Sequence, residues 1–100
     1  MDITRFSSFQ NLMRQLYFHK DSKRGIDKTF MWFIEEVGEF SEALRKGEKR
    51  LIEEEAVDII AWLSSLANLL NINLEEAIIK KYGSGVCPRC KSNPCICEER

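Results

Sequence analysis

Phe33-Ile34-Glu35-Glu36-Val37-Gly38-Glu39-Phe40-Ser41-Glu42-Ala43-Leu44 and Glu55-Ala56-Val57-Asp58-Ile59-Ile60-Ala61-Trp62-Leu63 place acids at a spacing of three inside strongly apolar runs. Glu36 pairs with Glu39 in the first run, and Glu55 with Asp58 in the second. Residues three apart share one face of an α-helix, so two facing helices would gather four carboxylates. On a wheel of about 100° per residue, Leu51, Ile59, Trp62, Leu66 and Leu69 all fall within about 40° of Glu55. Glu55 therefore lies in the middle of an apolar stripe. A lone carboxylate there costs several kcal/mol, whereas one that holds a cation is compensated. The same construction on the first helix centres its stripe on Phe30, Phe33, Val37, Phe40 and Leu44, with Glu36 at the edge and Glu39 just beyond. Glu42, Glu48, Glu53 and Glu54 read as ordinary solvated helix charges. Carboxylates as the evident ligands suit a hard oxygen-seeking ion, Mg²⁺ first and Mn²⁺ second.

Outward from this pair of helices, apolar residues at spacings of three and four (Phe6, Phe9, Leu12, Met13, Leu16, Tyr17) predict an amphipathic helix over residues 4–19, capped by Thr4 or Asp2. His19 closes it in a surface role. The polar stretch from His19 to Gly25 reads as a loop. Its cations Lys20, Lys23 and Arg24 either meet the anionic end of a substrate or are solvated. Asp27 is the expected cap of a second helix ending near Lys46, with Gly47 as its stop. The third helix is expected over residues 49–70. Apolar on nearly every face from Ala56 onward, it should be central or covered by partner subunits. Trp32 and Trp62 each lie one turn from an acid and are candidates to contact a base, the alternative being core or interface packing. Asn68 is a polar contact in a crowded helix or a substrate hydrogen-bonder. Asn73 can cap a short fourth helix over residues 74–82, whose last turn carries Lys80 and Lys81. Lys81 is a weaker candidate for a phosphate contact.

The pattern yields an all-α bundle of about four helices, two of them long, central and antiparallel. Residues 1–83 form this domain and residues 84–100 a Cys-rich tail, Cys87-Pro88-Arg89-Cys90-Lys91-Ser92-Asn93-Pro94-Cys95-Ile96-Cys97, which holds every cysteine of the chain. Two closely spaced pairs suit a small structural Zn²⁺ knuckle. Redox thiols, a disulfide or another metal are the competing readings.

The chain has 100 residues, 44% of them hydrophobic and 31% charged, with a net charge of −1. One domain with a modest core is expected, for which oligomerisation would help. The balanced charge argues against stable nucleic-acid binding and against a polybasic membrane protein. The first residues lack an apolar leader core, and no apolar run is long enough to span a bilayer. A cytoplasmic location is expected, where cysteines are thiols or metal ligands more often than disulfides.

These two acidic segments resemble the MazG-type nucleoside triphosphate pyrophosphohydrolases, over roughly residues 5–82. The resemblance implies a homodimer or homotetramer. It also implies Mg²⁺-dependent cleavage of a nucleoside triphosphate between the α and β phosphates, in the service of nucleotide-pool housecleaning or control. By position, Glu36, Glu39, Glu55 and Asp58 would hold the metal. Glu35 would support them or orient the attacking water, and Trp62 would lie beside the nucleotide. The alternatives are a phosphoribosyl-ATP pyrophosphohydrolase and a non-catalytic helical adaptor that binds zinc through its tail.

Overall fold

The computed structural model describes residues 3–100 as four α-helices followed by a non-helical tail. They are α1 (Phe6–Arg24), α2 (Ile26–Lys46), α3 (Lys49–Leu69) and α4 (Leu74–Tyr82). Helix α3 is central, packed along both α2 and α1, while α4 lies against α1. No strand occurs among the described residues.

Most boundaries follow from local chemistry. Helix α2 stops where Gly47 adopts the left-handed region (φ 72°), with its N–H bonded to the Ala43 carbonyl at 3.0 Å. Glycine enters that region at little steric cost. With only Gly47 and Glu48 between them, α2 and α3 run antiparallel. Asn73 caps α4 as expected, its side-chain oxygen accepting from the Glu76 N–H at 3.0 Å.

Three expectations are corrected. The stretch from His19 to Arg24 is not a loop but the last turns of α1, closed by Gly25 at φ 87°. Lys20, Asp21 and Arg24 of this stretch line a cavity, and an Arg24–Asp21 ion pair at i,i+3 supports the helix there. Helix α2 then starts at Ile26, so Asp27 lies in its first turn, favourable to the helix dipole, and is not the cap. At the start of α1 the cap position falls on Arg5, one residue past Thr4, and Asp2 lies outside the described residues. A first-turn donor of α1 is satisfied from afar: the Ser7 N–H donates to Glu75 of α4 at 3.2 Å, and Arg5 pairs with the same carboxylate at 2.8 Å.

The interior is small and polar. Its buried apolar residues among those described are Met13, Ala43, Leu66 and Ala67, while Gln10, Asp21, Thr29, Ser64, Ser65 and Asn68 are also buried. Small side chains let the helices approach closely. The α1–α3 seam is fastened by a two-residue clamp. The Gln10 side-chain amide donates to Asn68 Oδ1 (3.0 Å) and to the Ile72 carbonyl (2.6 Å), and its oxygen accepts from the Leu74 N–H at 2.9 Å. Asn68 Nδ2 returns a bond to the Gln10 carbonyl at 3.2 Å. Asn68 thus serves as a polar contact, and its hydrogen-bonding atoms are engaged away from the acids.

Apolar surface is left over. The radius of gyration is 15.8 Å, against about 13 Å for a compact domain of this length. The accessible surface is 7710 Å², where a compact monomer of this size would show roughly 5,900 Å². Phe30, Met31, Ile34, Val37 and Leu44 of α2 and Val57, Ile60 and Leu63 of α3 are all largely exposed. No single helix among the described residues is long and apolar enough to cross a membrane.

Replacing Gln10 by Ala strands Asn68 Oδ1 and the Leu74 N–H. A loss of about 1–3 kcal/mol in urea unfolding is expected. An unchanged unfolding midpoint would show that the clamp does not hold the seam.

Candidate active site

Helices α2 and α3 face one another through Thr29, Phe33, Glu36, Phe40 and Ala43 on one side. Leu51, Glu55, Ile59, Trp62, Leu66 and Leu69 line the other, all of them buried or half-buried. The α3 stripe lies where its periodicity put it. The α2 stripe is rotated from expectation: Phe30, Val37 and Leu44 point outward, and Glu36 occupies the middle of the buried face. Thr29, 0% exposed, and Ala43 are the reason. Their small side chains allow close approach to α3, a gain that a hydrophobic wheel does not register.

Glu36, Glu39 and Glu55 each offer a carboxylate oxygen to a cluster whose oxygens all lie within 4.8 Å of one another. Glu36 Oε2 and Glu55 Oε2 are buried and have no hydrogen-bond partner among the described residues. Burial chiefly, and then the charges of Glu39 and its other acidic neighbours, push the Glu36 carboxyl up to about 7. Glu55 is also raised, again chiefly by burial, against the lowering effect of a hydrogen bond with Glu36 and with further repulsion from Glu39 and Asp58. Asp58 is raised by burial and by the Glu39 and Glu54 charges. Metal-free, the cluster is electrostatically frustrated. Orphaned buried oxygens and an all-carboxylate donor set are what a hard divalent cation requires. Glu35 is exposed and outside this group.

Next to the acids a cavity of about 330 Å³ opens between α1 and α3. Asp58 and Trp62 line it from α3, and Lys20, Asp21 and Arg24 from α1. The predicted basic residues Lys20 and Arg24 are therefore brought to the acidic site, from a helix and not from a loop. Arg24 bonds Asp21 at 2.8 Å and Thr29 Oγ1 at 3.4 Å, with its guanidinium 5.0 Å from the Trp62 ring centroid. Trp32 and Trp62, read separately from the sequence, stack on one another at 6.1 Å and 14°. Two candidates are not brought here. Asn68 is held in the Gln10 clamp, and Lys81 lines a separate cavity along the tail with Cys87, Cys95 and Cys97. Sequence reading missed Asp21, only 2% exposed. The spacing Met13, Tyr17, Asp21, Arg24 continues the inner face of α1, a signal that becomes visible once the helix is extended.

A match to the MazG nucleotide pyrophosphohydrolase domain covers residues 24–90. The chain belongs to this family. The matched region of the MazG domain contains both acidic helices, the Trp pair and the first two cysteines, and begins at Arg24, so most of α1 lies outside it. A comparison with curated proteins found no match. The MazG family is one of nucleotide pyrophosphohydrolases, which makes this chain, at the coarse level, a hydrolase.

The tail forms a second candidate metal centre. Cys87, Cys90, Cys95 and Cys97 carry free thiols whose sulfurs lie within 4.8 Å of one another, with Cys90 and Cys95 at 3.9 Å. Sulfurs around a tetrahedral zinc at about 2.3 Å stand about 3.8 Å apart. The N–H groups of Ile96 and Cys97 donate to Cys90 Sγ and Cys95 Sγ, each at 3.4 Å. The Ile96 N–H chiefly lowers the Cys90 thiol to about 6, and the backbone amides of Cys90 and Arg89 lower Cys87. Cys97 is pushed up to about 12 by the neighbouring thiols, Cys95 first. Thiolates therefore form readily on part of the set, and a cation would relieve the rest.

An acid whose pKa is raised on folding, here Glu36 from 4.5 to about 7, binds its proton more tightly folded than unfolded. Its stabilising share is present below pH 4.5 and is lost as pH climbs through about 7. In EDTA, the melting temperature of the wild type should fall from about pH 5 to about pH 8 more steeply than that of Glu36→Gln. Added Mg²⁺ should recover it at the upper end for the wild type. Parallel pH profiles would show that Glu36 does not carry this charge stress.

Proposed function

We propose that this chain is a Mg²⁺-dependent nucleoside triphosphate pyrophosphohydrolase, with Mn²⁺ as a second metal, that releases pyrophosphate and a nucleoside monophosphate. The observation that carries the reading is the pair of buried, unpartnered oxygens of Glu36 and Glu55 converging with Glu39 beside a cation-lined cavity. Glu36, Glu39, Glu55 and Asp58 would hold the ion. Bound there, a divalent cation neutralises polyphosphate charge and makes a water more nucleophilic. A water would attack the α-phosphorus in line, the bond to the bridging oxygen would break, and pyrophosphate would depart. Glu35, exposed on α2 and outside the cluster, serves as a supporting acid. A carboxylate of the cluster takes the water's proton. Lys20 and Arg24 meet the phosphates and the nucleoside from α1, and the Trp32–Trp62 stack forms an apolar wall.

The same reading includes self-association. The accessible surface in excess of a compact monomer is roughly 1,800 Å² per chain, or about 3,600 Å² for a pair, within the roughly 2,000–5,000 Å² in total that obligate homodimers bury. A homodimer or homotetramer that covers Phe30, Met31, Ile34 and Val37 of α2 accounts for their exposure. Light scattering after gel filtration should report at least twice the monomer mass. The four-thiolate tail is assigned a structural Zn²⁺, consistent with a reducing, cytoplasmic setting.

Pyrophosphate release from a nucleoside triphosphate panel, with Mg²⁺ and with EDTA, tests the activity. Metal-dependent release that Glu55→Gln lowers by about 10²-fold or more, with helicity retained, is the expected outcome. No release from any nucleotide would sink the reading, and phosphoribosyl-ATP would be the next substrate assayed. For the tail, protein purified without chelator should contain one zinc per chain by atomic emission, and the Cys87→Ser, Cys90→Ser pair should remove it.

A further inference from the structure

Asp21 is the buried acid that the metal reading does not use. It sits in the last turn of α1, 2% exposed, on the wall of the 330 Å³ cavity that Asp58 and Trp62 line from the other side. Its Oδ1 accepts from Arg24 Nη1 at 2.8 Å, while Oδ2 is buried and has no hydrogen-bond partner among the described residues. Arg24 is not placed to supply the second bond. The same Nη1 also reaches Thr29 Oγ1 at 3.4 Å, and the guanidinium lies over Trp62. Leaving a carboxylate oxygen dry and unpaired is costly, so a donor from outside the fold is the natural complement.

The geometry points to Asp21 as the residue that reads the nucleobase, with Oδ2 accepting from an exocyclic amino group. This inference rests on the nucleotide pyrophosphohydrolase reading and goes further by naming a substrate class: nucleotides of amino-bearing bases. The cavity is at the small end of ligand sites, which run from about 300 to 1,000 Å³. It has room for a base, and Asp58 on its lining joins it to the acidic cluster where the phosphates belong. Met13, Ala61 and Trp62 supply apolar walls, Ser65 a hydroxyl. A carboxylate only accepts hydrogen bonds. It therefore favours cytosine over uracil and adenine over hypoxanthine, since each second member presents a carbonyl where the first presents an amino group.

Asp21→Asn inverts this polarity in a determined direction. Arg24 donates at the Oδ1 position, so the amide oxygen remains there and the NH₂ group takes the place of Oδ2, turning an acceptor into a donor. The test measures kcat/KM for dCTP against dUTP and for dATP against dITP. It also measures tryptophan-fluorescence titrations with their non-hydrolysable α,β-imido analogues, in the wild type and in Asp21→Asn. The wild type should favour the amino member by about tenfold or more, in turnover and in binding, and Asp21→Asn should narrow or reverse the ratio. Equal or carbonyl-favouring ratios in the wild type, or a ratio that Asp21→Asn leaves unchanged, would overturn the assignment while the pyrophosphohydrolase reading stood. Neither cleavage nor binding of any nucleotide would overturn both. Should circular dichroism show that Asp21→Asn is unfolded, the wild-type ratios decide the matter by themselves.

Discussion

Three carboxylates gathered at the α2–α3 interface, Glu36, Glu39 and Glu55, with the charge of Asp58 close by, form the constraint on which this molecule turns. Burial and mutual repulsion both oppose ionisation there, and Glu36 Oε2 and Glu55 Oε2 are buried with no hydrogen-bond partner outside the acidic cluster among the described residues. A fold optimised for its own stability would place leucine at position 55, in line with Leu51, Ile59 and Leu66. Retaining Glu there stores electrostatic stress that a bound cation would discharge, so the proposed affinity for metal and the charge stress of the cluster would have one source. That coupling ties the stability of the α2–α3 pair to its proposed chemistry.

The rest of the fold can be read as the means of holding that pair in place. Thr29, Ala43, Ser64, Ser65 and Ala67 keep the helix seams narrow, and the Gln10–Asn68 clamp fixes α1 against α3 by hydrogen bonds where large apolar side chains are scarce. Helix α1, fixed in this way, carries Lys20, Asp21 and Arg24 to the edge of the acidic site. Charge of both signs is thereby arranged in order: carboxylates at the α2–α3 interface, cations along α1, and a paired aromatic wall near both. Phosphates and a base require these three environments in close succession.

A small polar interior leaves much apolar surface outside. The outward positions Phe30, Val37 and Leu44 were counted in the sequence as the buried stripe of α2, and they are as apolar as any core. A hydrophobic wheel registers transfer free energy and is indifferent to whether the covering surface belongs to the same chain. An α2 with apolar residues on two faces is therefore ambiguous from sequence, and the face turned to α3 is the one with small residues that permit close packing.

The sequence by itself determined the class of fold, the two long antiparallel helices with their Gly47 turn, the Asn73 cap, and the convergence of Glu36, Glu39 and Glu55. All of these depend on spacings within one helix or on one tight turn, where a period of 3.6 residues and the conformational freedom of glycine leave few alternatives. The tertiary structure alone decided that residues 19–24 are helical, that Asp21 is buried against Arg24, that Trp32 stacks on Trp62, and that Asn68 is spent on Gln10. Each of these depends on contacts between helices distant in sequence. Polar residues read as loop or surface when their partners lie on another helix, because periodicity records which residues share a face and says nothing of what that face meets.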